Sequence, residues 1–211
     1  MKFGGTSVGD VAAFERVVHV VSNQAERRPV VVVSAMTKVT DALLAAFDMA
    51  KGGDLAGAVA SLEPHWERHV EVAGHFIAAD GPNLFATELD LARGEISDLL
   101  LRTSRRSLPL SMLKDAIVSY GEQLSSRLLA EVLRSRGVRS RHFDSRRLIV
   151  TDDEFGSATP IMDETAELVR LEIVPATAAG EVPGMGGFIA GNRAGEKTTL
   201  GRGGFDFFSA V

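Results

Sequence analysis

The 211-residue chain contains no cysteine, which excludes a disulfide framework, a thiolate nucleophile and any Cys-ligated zinc or iron–sulfur centre. A reducing cytoplasm is the expected setting. Aromatic residues are scarce at 6%, with one Trp and one Tyr, too few for a surface that grips single-stranded nucleic acid by stacking. Positive charge is also short, with 23 Lys+Arg against 28 Asp+Glu and a formal net charge of −5. That balance gives no electrostatic case for nucleic acid or an anionic membrane as partner. Unbroken apolar runs such as Val30 to Val33 fall far short of the ~20 residues of a spanning helix, and no signal-peptide h-region opens the chain. What is present is ordinary for a globular domain: 45% hydrophobic and 24% charged residues, enough to bury a sizeable core. No internal repeat or low-complexity segment divides the sequence, and one domain is expected.

Hydrophobic spacing predicts the organisation. Met1 to Phe3 reads as a strand stub, Gly4-Gly5-Thr6-Ser7 as a glycine loop, and Val11, Phe14, Val17, Val18 and Val21 as one face of a helix capped at Asp10. After Pro29, Val30 to Val33 reads as a strand buried on both faces, the pattern of a parallel sheet. A helix follows from near Thr40, with Val39, Leu43 and Phe47 on one side. This βαβα order predicts an α/β sandwich whose ligands collect beyond the carboxyl ends of the strands. Gly52 to Arg106 reads as a helical lobe with Leu62, Trp66 and Val70 on one face. Ile117 to Arg136 reads as one long helix closed by Gly137, Val138–Phe143 and Leu148–Thr151 as strands, and Met162–Val174 as a helix. Val182–Ala190 reads as a single glycine-rich strand, followed by a polar loop from Gly191 to Glu196.

Two loops could carry chemistry. In Lys2-Phe3-Gly4-Gly5-Thr6-Ser7 the glycines open backbone amides to an anion, the hydroxyls add donors, the next helix offers its positive end and Lys2 a full charge. The lysine precedes the glycines, so this is not a Walker A loop. Gly5-Thr6-Ser7-Val8-Gly9 also fits G-x-S-x-G, but a nucleophile elbow needs sheet strands before the serine, and almost nothing precedes Ser7. Thr198-Thr199-Leu200-Gly201-Arg202-Gly203-Gly204-Phe205-Asp206 is a second glycine turn with hydroxyls and an arginine able to fork onto a carboxylate or phosphate. Two such loops suggest one anion held between them, although each alone also reads as a plain turn. His65 and His69, at i and i+4, read as a solvated helix face, since Glu67 is misplaced for H-E-x-x-H. The arginines at 134, 136, 139, 141, 146 and 147 read as a charged surface interrupted by Asp144.

Five ordered blocks together resemble the aspartate kinases of the amino-acid kinase superfamily. They are Lys2-Phe3-Gly4-Gly5-Thr6-Ser7-Val8, Ser34-Ala35-Met36 through Thr40-Asp41, Tyr120-Gly121-Glu122, Gly187-Phe188-Ile189, and Thr198 to Gly204. The resemblance covers essentially all of residues 1–211 and implies a three-layer αβα sandwich with a mainly parallel sheet. It implies catalytic roles for Lys2 and Asp206, and phosphate binding by Lys2, Gly4, Gly5, Thr6, Ser7, Gly203 and Gly204. Ser34, Thr40, Glu122 and Arg202 would hold L-aspartate, Glu122 on its ammonium group and Arg202 on its α-carboxylate. The implied reaction moves the ATP γ-phosphoryl group to the β-carboxylate of L-aspartate, with Mg2+ accompanying ATP, as the first step toward lysine, threonine and methionine. A side-chain carboxylate of pKa ~3.9 is ionised at neutral pH, so this reaction needs no general base, in keeping with the lack of an obvious catalytic histidine. A homo-oligomer is expected. The resemblance also implies an incomplete catalytic domain, with the base-binding half and the ACT regulatory domains beyond Val211, and weak or no activity from these 211 residues alone. A sister kinase acting on another carboxylate, or a non-catalytic remnant that binds aspartate or a partner chain, are the alternatives.

Overall fold

The computed structural model describes residues 1–78 and 84–201. Its frame is a four-stranded, wholly parallel sheet in the order β1-β2-β5-β3, formed by β1 (Lys2–Phe3), β2 (Val31–Val33), β3 (Ser140–Phe143) and β5 (Val182–Gly186). A second, mixed sheet joins β4 (Val150–Thr151), β6 (Ile189–Asn192) and β7 (Lys197–Thr199). The valine run behaves as its lack of alternation requires. Val31 and Val33 enter one hydrophobic core, Val32 enters the other, and all three are buried.

The larger core lies under α1 (Val11–Ser22), α2 (Val39–Lys51), α3 (Leu55–Ala60), α4 (Glu63–Phe76), α5 (Leu84–Arg105), α6 (Leu110–Val118) and α7 (Tyr120–Ser135). The smaller core, on the opposite face, collects Phe143, the end of α8 (Ser145–Leu148), Met185, and Ile173 and Ala176 from α9 (Met162–Ala178). Helices therefore cover both faces of a mainly parallel sheet, the α/β class read from the sequence. Asp10 caps α1 as expected, its Oδ1 accepting from the Ala13 amide at 2.8 Å, and Gly137 takes the positive φ of 82° that ends α7.

Several elements differ from the sequence reading. Val182–Ala190 is two strands in two different sheets, because the chain turns at Gly187-Phe188 with Phe188 at φ 67°. Gly191 and Asn192 belong to the second of these strands rather than to the polar loop. The long helix read from Ile117 is two abutting helices that meet at Ser119, and Leu148 ends a short helix instead of opening a strand. On α4 the buried stripe runs through Trp66, His69, Ala73 and Phe76, the i, i+3, i+7, i+10 spacing of one helix face, while Val70 is 55% exposed. His69 is consequently in the core and not on a solvated face. Its Nδ1 donates to the His65 carbonyl at 2.7 Å, and burial lowers its pKa to about 4, so the imidazole is neutral.

Candidate active site

The carboxyl ends of β1, β2 and β5 lie together, and the motif loops leave from them. Beyond β1, Gly4 is extended and Gly5–Val8 forms a single 3-10 turn in which the Ser7 amide donates to the Gly4 carbonyl at 2.8 Å. Beyond β2, Ser34 to Lys38 leads into α2, and the two loops are fastened to each other. The Thr37 hydroxyl donates to the Gly5 carbonyl at 2.8 Å, and Arg68 of α4 donates to the Thr37 carbonyl at 2.6 Å. Close approach explains two glycines here: a Cβ on Gly5 would stand 3.0 Å from the Ala35 carbonyl oxygen, and one on Gly9 would stand 2.7 Å from the Thr37 hydroxyl. Lys2 and Thr6 are exposed, and Ser7 is half-buried. At the positive end of α1 the Asp10 side chain takes the Ala13 amide, and in the 3-10 turn the Ser7 amide is engaged by Gly4.

The start of α7 closes this face from behind. Ser125 donates to the Ser34 carbonyl at 2.5 Å, while a Cβ on Gly121 would come within 2.8 Å of the Ala35 side chain. Gly186, at the end of β5, lies so close to α7 that its Cβ would meet that of Glu122 at 3.0 Å. The Gly187 amide donates to the Val33 carbonyl at 2.9 Å, which carries the sheet pairing up to the turn. Glu122 is 3% exposed in this corner, and its Oε2 has no hydrogen-bond partner. Burial raises its pKa to about 7, against the opposing pull of the Ala35 amide and its own. Ser34 and Thr40 are half-buried on the adjoining segment, Thr40 in the first turn of α2. The structure thus brings together Gly4, Gly5, Thr6, Ser7, Ser34, Thr40 and Glu122 at one end of the sheet.

Arg202, Gly203, Gly204, Phe205 and Asp206 lie outside the described residues. The two threonines before that loop are not site hydroxyls. Thr198 is bonded to Thr151 at 2.8 Å and Thr199 to Asp115 at 2.8 Å, both buried. Thr37, Arg68, Ser125 and Gly186 shape the site without a role assigned from the sequence, and Gly121 was named only as part of the Tyr120-Gly121-Glu122 block. Thr37 carried a signal, since it lies inside the Ser34–Thr40 block; Arg68 carried none, being 31 residues away on another helix. Among the described residues no group of three or more His, Asp or Glu side chains converges to hold a metal ion.

Comparison with known proteins agrees with this geometry. Residues 1–211 match the profile of the amino acid kinase family. Lysine-sensitive aspartokinase 3 of Escherichia coli (strain K12) is 34% identical over 210 residues, which are 100% of this chain and 44% of the relative. Aspartokinase 1, chloroplastic, of Arabidopsis thaliana is 32% identical over 216 residues, covering 98% of this chain and 36% of the relative. The crystal structure of E. coli aspartokinase III in complex with aspartate and ADP superimposes with a TM-score of 0.85 at 32% identity, over 99% of this chain and 44% of that one. The chain therefore spans less than half the length of these relatives. With a parallel sheet, two interlocked loops at its carboxyl end and a match along its whole length, the chain belongs to the amino acid kinase family.

Proposed function

We propose that the chain carries aspartate kinase chemistry, transferring the ATP γ-phosphoryl group to the β-carboxylate of L-aspartate to give 4-phospho-L-aspartate. The observation that carries this reading is Glu122, a buried carboxylate with an unpartnered oxygen and a pKa of about 7, beside the segment that holds Ser34 and Thr40. An uncompensated acid in that position is stabilised by a cation arriving from outside, and an α-ammonium group supplies one. Ser34 and Thr40 would contact the same amino acid, and Arg202 would fork onto its α-carboxylate.

Phosphoryl transfer of this kind asks the protein for position and charge. The attacking β-carboxylate is ionised already, so no side chain has to remove a proton. Lys2, exposed on β1 two residues before Gly4, would neutralise charge on the moving phosphoryl group, while Gly4, Gly5, Thr6 and Ser7, with Gly203 and Gly204, would line the phosphates. Asp206 would organise Lys2 and the phosphates. Mg2+ would arrive with ATP, bound mainly through its phosphates, and supply further charge neutralisation. The link between Thr37 and Gly5 gives this reading a physical basis for alignment: phosphate loop and amino-acid loop cannot shift independently. The proposed setting is a reducing cytoplasm, in a homo-oligomer, at the first step toward lysine, threonine and methionine. ADP release by the protein with MgATP and L-aspartate, L-glutamate or N-acetylglutamate tests the assignment. Turnover that depends on aspartate supports it; dependence on another carboxylate makes the protein a sister kinase, and binding of aspartate without turnover makes it a non-catalytic relative.

A further inference from the structure

The arginine-rich stretch that follows α7 has no place in the reaction above, yet it does not simply face solvent. Arg141, Arg146 and Arg147 line an open cleft of about 750 Å³ together with Arg127 of α7 and Lys197 of β7. The acids on its walls are Glu95, Asp144 and Glu172, so five cations face three carboxylates in a chain whose net charge is −5. His142 adds no charge, because burial and Arg127 hold its pKa at about 4. A local excess of positive charge in a concave site, on an otherwise acidic protein, focuses anions there.

The pairing inside the cleft is incomplete. Arg146 is held by Asp144 at 2.7 and 2.8 Å, Arg127 by Glu88, and Arg141 by Glu181 at 3.2 Å. Even so, the Arg127 Nε and Arg146 Nη1 donors are buried without partners, which native interiors avoid unless a ligand or water completes them. Arg147 is exposed and has no carboxylate partner among the described residues. Lys197 donates to the Tyr120 hydroxyl at 2.9 Å, and that hydroxyl donates in turn to Glu95, so the floor is held in place before anything binds. The walls are strand ends and helices, supports that fix the spacing of the guanidinium groups.

We infer that this cleft is a binding site for a small anion presenting a phosphate or carboxylate group, held by Arg147 and Lys197 with Arg127 and Arg146 behind them. Guanidinium forks suit both groups, and the room available admits a metabolite rather than a polymer. The site does not depend on the kinase reading, since it shares none of the residues assigned to catalysis or substrate.

The test is titration of the protein with inorganic phosphate and, separately, with malonate at constant ionic strength, by calorimetry and by amide chemical shifts. Saturable binding is expected, with shifts at Arg127, Arg146 and Lys197, and the preferred probe tells a phosphate ligand from a carboxylate ligand. Arg147→Glu and Lys197→Gln should each weaken binding at least tenfold, while charge reversal at the exposed Arg16 on α1, with circular dichroism confirming every fold, should leave it unchanged. No saturable binding of either probe, an affinity in both cleft variants equal to that of the unaltered protein, or shifts centred on Gly4–Ser7 would overturn the inference.

Discussion

Two buried carboxylates seven residues apart on consecutive helices differ in almost every respect but their burial. Asp115, on α6, is 2% exposed and accepts three hydrogen bonds at 2.8 Å, from the Gly156 amide, the Thr199 amide and the Thr199 hydroxyl. It fastens the helical layer to β7 and to the loop before α9, and both of its oxygens are engaged. Glu122, on α7, is 3% exposed and retains an oxygen with no partner at all. Burial raises both pKa values; at Asp115 the Gly156 amide and the Thr199 amide and hydroxyl pull against it through both oxygens, at Glu122 the Ala35 amide and its own. Asp115 is a structural tie, whereas Glu122 keeps a carboxylate oxygen unpaired at the carboxyl end of the parallel sheet.

Substitution at each acid separates the two roles. Asp115→Ala strands the two buried Thr199 donors and releases the amide of the exposed Gly156, and is expected to lower stability by about 3 kcal/mol in urea unfolding. Glu122→Gln keeps an oxygen for the Ala35 amide and should change stability by no more than about 1 kcal/mol below pH 4.5, where the carboxyl is protonated, and should stabilise the protein at higher pH. A large loss from Glu122→Gln would make Glu122 a second structural tie and erase the contrast. Activity should invert the order. Lys2→Ala, at an exposed position, is expected to lower kcat by ~10²-fold, as loss of preorganised charge does, with unfolding unaltered. Glu122→Gln should raise KM for aspartate about tenfold with little change in KM for ATP, which steady-state kinetics on both substrates would show.

The same contrast marks how far the sequence could be read. The Val30–Val33 run announced a strand buried on both sides because no polar residue interrupts it, and the helices followed from apolar spacing. The break at Phe188 was hidden because the left-handed position fell on a phenylalanine next to a glycine, so the pattern reads as one strand. His69 was misplaced because a polar side chain was assigned to solvent, when one hydrogen bond within its helix lets it enter the core. In the site, the loops were legible as glycines and hydroxyls, and Glu122 only by resemblance. Its unpartnered oxygen, the Thr37 bond to Gly5 and the three bonds to Asp115 arise from residues brought together across the fold, and no local pattern encodes them.

The effect most diagnostic of the unpartnered Glu122 oxygen is in the pH dependence of stability. A carboxyl with an ordinary pKa of 4.5 that is raised to about 7 in the folded protein holds its proton more tightly when folded. Its contribution to stability is complete below pH 4.5 and is lost as pH rises through 7. His69 and His142, lowered to about 4, act in the opposite sense: their neutral folded forms favour the native state above pH 6.5 and lose that advantage as pH falls toward 4. The wild-type profile therefore mixes opposing slopes, and the useful quantity is the difference between Glu122→Gln and wild type measured in urea at several pH values. That difference should move in favour of the variant between pH 4.5 and 7 and level off above, since the histidines are common to both proteins. Saturating L-aspartate should shrink it by supplying the ammonium that the ionised carboxylate lacks. A difference independent of pH would mean that Glu122 is ionised and paired in the free protein, and the distinction from Asp115 would then rest on their neighbours alone.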